Sequence, residues 1–364
     1  MKKIAQLIFT LSLSLSCTSL WSKTYQEQLD YIKSISTHDI SKAKALLESL
    51  EPKLEKFSTK EKALYYYLQA HSYSIRGFYQ EAWELAEKVS DHSNDKDLAA
   101  RTESLKVSIL SHQGKFQQSF MTTYQLLDGL EQLTSNELKM DILLDAVTLH
   151  TYSEILDKAQ DLALRSMAFI NKEKLIKHKC NLSVEMGLLN IRLKKYQKAA
   201  DYFEQAESEC SDKTQASWLL IVKTQKAKIL MLNERHEMAE QSYLKVFDEL
   251  VSFGWSGLLV DTQIRIAELY LKMEAFDKIE AYALPAYQSA KKNNQLNDLS
   301  DVSFVLTRFY EESGEHKKAQ EFRRVYIKSS NELKSLLQKR RLAYYQAMNI
   351  RKELQKSSLV TREE

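Results

Sequence analysis

Apolar residues recur along this chain at the spacing of an α-helix. Tyr196, Ala199, Phe203 and Ala206 follow one another at intervals of three or four residues, which places them on one side of a helix. Gly187, one helix earlier, has no side chain and allows close approach of the two helices. The pattern predicts a pair of helices joined by a tight turn, with small and large residues alternating along the contact.

The same pattern repeats along most of the chain. Eight residues, Ala199 among them, occupy one position of this pattern, mostly small and spaced by 40 residues from the third onward: Ala43, Ala82, Ser119, Ala159, Ala199, Ala239, Ile279 and Ala319. Gly77, Gly114 and Gly314 all lie five residues before this position, where a turn between paired helices needs conformational freedom. A period of this length predicts a helical repeat architecture.

Composition narrows the class further. The chain has only 7 Gly and 2 Pro in 364 residues, too few for the turns of a β-rich or loop-rich protein. With 44% hydrophobic and 28% charged residues, we expect a folded, all-α protein. The formal net charge is only +3, from 52 basic and 49 acidic residues, so charge gives no support for binding nucleic acid.

The motif Gly187…Tyr196-x-x-Ala199-x-x-x-Phe203-x-x-Ala206 resembles a tetratricopeptide repeat (TPR), in a variant of about 40 residues. The resemblance covers residues 61–328 well and 25–56 weakly, and it lacks the closing proline of the family. It implies a right-handed α-solenoid of seven or eight helix pairs over residues 23–329, with a concave groove that binds a protein or peptide.

The N-terminus has the layout of a secretory signal peptide. Lys2 and Lys3 precede an apolar run from Ile4 to Leu15, and small residues follow up to residue 22. We expect cleavage after residue 22 and a periplasmic location; a buried core helix is the alternative. Cys17 raises a lipoprotein anchor as a further possibility, although Ser14 stands where the lipoprotein signal has leucine. No other apolar run is long enough to span a membrane.

Two cysteines remain after removal of residues 1–22. Cys180 lies at the start of one predicted helix and Cys210 at the end of its antiparallel partner, so both come to the same end of the pair. An even number of cysteines in an oxidising compartment favours a disulfide, and two unpaired thiols are the alternative.

The sequence offers no set of residues for chemistry. The histidines are scattered, and no CxxC, HExxH or glycine-rich phosphate loop occurs. We therefore predict no metal site, no cofactor and no enzyme activity.

The groove is the surface that we select for function. Family positions carried over through the repeat register predict inward-facing residues in seven repeats: Tyr67, His71, His112, Tyr152, Arg192, Lys228, Lys272 and Arg308. The basic members could pair with acidic groups of a peptide. An ordinary solvated helix face is the alternative for each of them.

After residue 330 the period stops, and residues 330–364 predict one long helix with a short tail. Leu333, Leu337, Tyr344 and Met348 lie on one side of it. A cap over the last repeat is one interpretation, and a partner helix for a dimer or another protein is the other. From signal peptide to final helix the chain is similar to the periplasmic sensor regions of bacterial diguanylate cyclases and sensor kinases, without their membrane span or effector domain.

These patterns lead to two functional hypotheses. The first is a non-catalytic scaffold or adaptor that binds a protein or peptide in its groove. The second is a sensory module that regulates a membrane signalling enzyme through its C-terminal helix. An assembly factor at the outer membrane would follow only if Cys17 were lipidated.

Overall fold

A computed structural model describes residues 24–363, apart from 38, 211–214, 254 and 294, with side chains up to residue 356. The predicted signal peptide, residues 1–22 with Cys17, lies outside the described residues.

The described part of the chain is all α-helical, with sixteen α-helices in eight consecutive pairs and no strand. We call the members of each pair the first and the second helix. The helices are α1 Tyr25–Ile35, α2 Ile40–Leu50, α3 Thr59–Ile75, α4 Tyr79–Ser90, α5 Lys96–His112, α6 Phe116–Asp128, α7 Asn136–Tyr152, α8 Leu156–Glu173, α9 Lys177–Arg192, α10 Tyr196–Glu209, α11 Ala216–Leu232, α12 His236–Phe253, α13 Ser256–Lys272, α14 Ile279–Lys292, α15 Leu296–Glu312 and α16 His316–Glu363. Short 3-10 helices cover Glu51–Lys56, Leu130–Gln132 and Phe276–Lys278. The predicted all-α repeat class is confirmed.

The chain divides into two compact units, with the boundary between Lys139 and Met140 inside α7. Sequence periodicity predicts a single repeat domain over 23–329 and gives no sign of this division. The core of unit 1 includes Leu29, Ile32 and Leu68. Unit 2 has a cluster around the α9–α10 pair and a larger one that extends from α11 to α16. Among the described residues, none of the helices is both long and apolar enough to cross a membrane.

The predicted repeat register is confirmed by burial. All eight small residues at the position of Ala199 are buried, with at most 4% of the side chain exposed. The residue five positions earlier has a positive φ in every pair from the second to the eighth: Gly77, Gly114, Glu154, Lys194, Glu234, Glu274 and Gly314. Four repeats therefore take the left-handed turn without glycine, at φ 56–59°. The helix–helix packing imposes this turn, since an L-residue does not favour it.

Gly187 allows α9 and α10 to pack closely. A Cβ atom on Gly187 would lie 2.4 Å from Cε1 of Phe203, well inside van der Waals contact. The Phe203 side chain is fully buried and has no space into which it can move. The close approach expected from the sequence is thus a requirement of this helix pair.

Gly187→Ala is expected to lower the free energy of unfolding by about 1–3 kcal/mol, the usual cost of overpacking a core. Chemical denaturation of the purified protein measures this change. Gly257→Ala is the matched control, because a Cβ there would make only ordinary contact with Trp255, at 3.6 Å. That variant should be neutral or slightly stabilised, since alanine favours helix over glycine. Equal stability of the two variants would contradict the packing argument.

Cys180 and Cys210 form a disulfide, with their Cα atoms 4.9 Å apart. Cys180 lies in the first turn of α9, and Cys210 follows the last residue of α10. Both are buried in the cluster that contains Val184 and Phe203. The disulfide therefore links α9 and α10 at the end of the pair opposite their connecting turn at Lys194.

The C-terminal helix differs from the expectation in where it begins. The sequence places a separate helix from residue 330, whereas α16 runs without a break from His316 to Glu363. No glycine or proline occurs between these residues, so nothing ends the helix. The second helix of the last repeat and the predicted C-terminal helix are thus a single element.

Candidate functional site

In unit 2, successive first helices contact one another from α9 to α15. Charged residues lie on one stripe of these helices, because Asp261, Arg265, Glu268 and Lys272 follow at intervals of three and four in α13. The same positions recur in the other first helices at multiples of 40 residues. We call this stripe the inner face of unit 2; its members are Tyr152, Glu185, Arg192, Lys228, Asp261, Arg265, Glu268, Lys272, Asp301 and Arg308.

The three predicted groove residues of unit 1 are engaged by aromatic neighbours. Tyr67 is buried in the core of this unit, and its ring stacks on His71 with the centroids 6.2 Å apart. Burial lowers the pKa of His71 to about 4, because a charged imidazole is poorly solvated there. His112 is exposed and stacks on Tyr79 at 4.5 Å. Tyr67 is thus a core residue, His71 is half-buried against it, and His112 is exposed.

The five predicted groove residues of unit 2 are more accessible. Tyr152, Arg192, Lys272 and Arg308 are exposed, and Lys228 is half-buried. Arg308 forms ion pairs with Glu311 and Glu312 on its own helix, at 3.6 and 3.3 Å. Its charge is therefore partly compensated within α15.

Arg265 is the residue of the inner face that sequence reasoning missed. Its guanidinium donates to Asp261 at 3.2 Å, to Glu268 at 2.8 Å and to Asp301 of α15. Only 12% of its side chain is exposed, and the three carboxylates raise its pKa against the effect of burial. The motif Asp261-x-x-x-Arg265-x-x-Glu268 was the available signal, since i,i+4 and i,i+3 pairs meet on a helix. The partner from α15, 36 residues away, was not visible in it.

Two titratable side chains near Arg265 have shifted pKa values. Burial lowers the pKa of the Lys228 ammonium, and Arg265 adds to the effect. Burial also raises the pKa of Asp298 to about 6, with a further increase from the negative charge of Asp261. Repeats six to eight thus hold several carboxylates around one buried guanidinium.

Glu185 occupies in α9 the position that Arg265 occupies in α13, two periods later. Its side chain is 4% exposed, and Oε2 is buried without a hydrogen-bond partner. Burial raises the pKa of this carboxyl to about 7, against the lowering effect of a hydrogen bond from Thr148, and Asp145 raises it further. The same register position therefore holds one compensated charge and one uncompensated carboxyl.

α16 returns to the end of the inner face at the α7–α8 turn. Arg340 Nη1 donates to the main-chain oxygen of Tyr152 at 3.0 Å. Arg341 forms an ion pair with Glu154 at 2.8 Å. The Tyr344 ring meets the buried imidazole of His150 edge to face, with centroids 5.7 Å apart. The prediction of Tyr344 on the packed side of the C-terminal helix is consistent with these contacts.

The described residues contain no group of three or more His, Cys, Asp or Glu side chains arranged to hold a metal ion. His236 and His316 are the first residues of α12 and α16.

No protein-family model and no curated protein matches this sequence. Solved structures do share its fold. A Rap protein complexed with competence and sporulation factor is 11% identical, with a TM-score of 0.61 over 86% of this chain and 99% of that one. The Rap conjugation gene regulator of plasmid pLS20, in complex with the Phr* peptide, is 14% identical, with a TM-score of 0.61 over 86% and 96%. NprR in complex with its cognate peptide NprX is 14% identical, with a TM-score of 0.54 over 91% and 100%. At these identities the likeness concerns the fold, which is a TPR-like repeat of helix pairs.

Proposed function

We propose that this chain is a non-catalytic module that binds a peptide or an extended protein segment along the inner face of unit 2. The observation that carries the proposal is the stripe of charged and aromatic side chains on successive first helices. Exposed Tyr152, Arg192 and Lys272 recur at one register position, which Leu232 occupies in α11, so they lie in one row along the repeats. An extended peptide has polar groups at regular intervals and suits such a row.

The charges of the inner face suggest what a ligand would carry. Arg192 and Lys272 can donate to acidic side chains or to a terminal carboxylate. The carboxylates around Arg265 lie on α13, which also carries Lys272, and on α15 of the next repeat. A peptide with acidic groups that can reach both Arg192 and Lys272 is therefore the ligand class that we test first. Two of the solved structures that share this fold hold peptides, Phr* and NprX, which supports starting with peptides.

The test is selection of peptides from a random library against the purified chain lacking residues 1–22, followed by calorimetry. Arg192→Glu combined with Lys272→Glu is expected to weaken the binding of a selected peptide by about 100-fold, because two charge-assisted contacts become repulsive. Lys198→Glu combined with Lys245→Glu is the matched control. These two lysines are exposed on the second helices α10 and α12, so their reversal changes the net charge equally but leaves the inner face intact.

An equal loss of affinity in both double variants would contradict the proposal, because net charge alone would then explain binding. The same conclusion would follow if no peptide were enriched, or if the inner-face variant bound as the native protein does.

We also propose that the protein is exported to the periplasm. The basic start and apolar run within residues 1–22 support this proposal, and the Cys180–Cys210 disulfide is compatible with an oxidising compartment. The N-terminal residue of the protein recovered from its host is expected to be Lys23. A chain that still begins at Met1 would exclude cleavage, and a lipidated Cys17 would indicate a membrane anchor instead.

A regulatory role toward a membrane signalling enzyme, of the diguanylate cyclase or histidine kinase type, is the second candidate. The return of α16 to the α7–α8 turn favours it, because a helix with two separate attachments can transmit a change at one of them. Deletion of residues 330–364 in the host should then abolish the signalling response. A pure binding module would keep its ligand after the same deletion.

A further inference from the structure

We propose that the C-terminal half of α16 is a releasable clasp that closes the inner face of unit 2. We define the clasp as residues 340–347 together with the α7–α8 turn that they contact. The clasp is inferred from the contacts of α16 alone. The statement that the surface it closes binds peptides rests on the function proposed above.

α16 is attached to unit 2 at two separate places. Its N-terminal half packs on α15 and α14, where Phe322 meets Tyr287 and Arg323 pairs with Glu311. Its C-terminal half meets the α7–α8 turn, 187 and 188 residues away in sequence. The rise of 1.5 Å per residue puts Arg340 about 36 Å along the helix from His316. The helix therefore connects the last repeat of unit 2 with the first.

The stretch between the two attachments has little support. None of the residues 331–339 is buried, whereas Ala343, Tyr344 and Ala347 beyond it are at most 7% exposed. The leucines of this stretch, Leu333, Leu336 and Leu337, are only half-buried, so it contributes less packing than the residues beyond it. The second half of α16 thus keeps its place and its helical structure through the clasp.

The contacts of the clasp are of a kind that can open. The Arg341–Glu154 pair is solvent-exposed, with 52% and 32% of the side chains accessible, and exposed ion pairs contribute little to stability. Arg340 lies near Arg192, whose like charge lowers the pKa of Arg340 after the larger effect of burial. Glu154 is in the left-handed conformation, at φ 56°. The exposed ion pair is thus the weaker part of the clasp, and the buried side chains around Tyr344 form its other part.

The clasp lies where a ligand of the inner face would bind. Arg340 is bonded to the main chain of Tyr152 and lies close to Arg192, and both are residues of the proposed peptide site. A peptide bound to these two residues would compete with the clasp for the C-terminal ends of α7 and α9. Release of α16 should therefore open the inner face, and the closed form should resist entry.

The experiment reverses the ion pair and then restores it. Arg341→Glu and Glu154→Arg each place like charges together, and the double variant recreates the pair in the opposite sense. Lys352→Glu, an equal charge change at an exposed position of α16, is the matched control. Amide exchange of residues 333–356 in the full chain is expected to rise about tenfold in each single variant and to return in the double variant. Exchange of α13 reports that the fold is retained.

Closure is measured with the same variants and needs no peptide. The probe is a polyethylene glycol chain with an N-hydroxysuccinimide ester, which acylates amines. Labelling of Lys228, half-buried on the inner face, should rise about fivefold in the single variants, while the exposed Lys245 of α12 keeps its rate.

Unchanged exchange of α16 in both single variants would overturn the clasp. Faster exchange with unchanged labelling of Lys228 would overturn its closing role. Neither result depends on a peptide, so failure to find a peptide ligand would refute the proposed function alone.

Discussion

Arg265→Leu is expected to lower the free energy of unfolding by about 3–5 kcal/mol, the usual result of removing one partner from a buried ionic cluster. Asp261, Glu268 and Asp301 all bond to this guanidinium. Without it, three carboxylates remain close together, with the half-buried Lys228 as a neighbouring cation but with no guanidinium bonded to all three. Denaturant unfolding at pH 7 measures the loss.

Arg308→Leu is the matched control for this change. Arg308 also contacts two glutamates, but half of its side chain is exposed, so its removal should cost less than about 1 kcal/mol. Arg265→Lys should give an intermediate loss, because an ammonium cannot match the planar fork that reaches three carboxylates. If Arg265→Leu were as stable as Arg308→Leu, the cluster would have no structural role.

Glu185→Gln is expected to stabilise the protein at pH 8 by up to about 3 kcal/mol and to have little effect at pH 4.5. The pKa of this carboxyl is raised from 4.5 to about 7 in the folded state. Below pH 4.5 the carboxyl is protonated in both states, so its charge costs nothing. Between pH 4.5 and 7 the unfolded chain releases the proton and the folded chain keeps it, so the native protein loses stability as the pH rises. Above pH 7 the loss is complete.

The difference between the variant and the native protein is the quantity to measure, across pH 4.5 to 8. Other groups titrate in this range, since burial lowers the pKa of His71 and of His150 to about 4. Protonation of the unfolded chain at these histidines destabilises the fold as the pH falls below 6.5, the opposite trend. The difference cancels their contribution. A gain that does not vary with pH would show that the charge of Glu185 is not what destabilises the native protein.

Much of this fold could be predicted from local pattern. The buried small residues, the turn positions and the first residue of most second helices all follow from the 40-residue period. A helix pair places these residues by its own geometry, which depends on spacing within about 15 residues. The absence of glycine and proline after residue 316 also implied that α16 would continue, although the end of the period suggested a break at residue 330.

The candidate site residues were predictable only in part. Tyr152, Arg192 and Lys272 are accessible as their register positions predict, whereas Tyr67 stands at a groove position and is buried. Register assigns a residue to a stripe of its helix, but neighbours from other helices decide whether that stripe is open.

The sequence alone determined the helix pairs, their register and the glycine that brings α9 against α10, because each depends on residues close in the chain. Tertiary structure decided which charges of the inner face are compensated. Arg265 finds a third carboxylate on α15, and Glu185 finds no cation at the equivalent position. It also decided which surface the C-terminal half of α16 reaches, since contact with Glu154 depends on the rotations accumulated over four repeats. No pattern within one helix pair contains this accumulated rotation. The 40-residue period likewise gives no sign of the division of the chain inside α7.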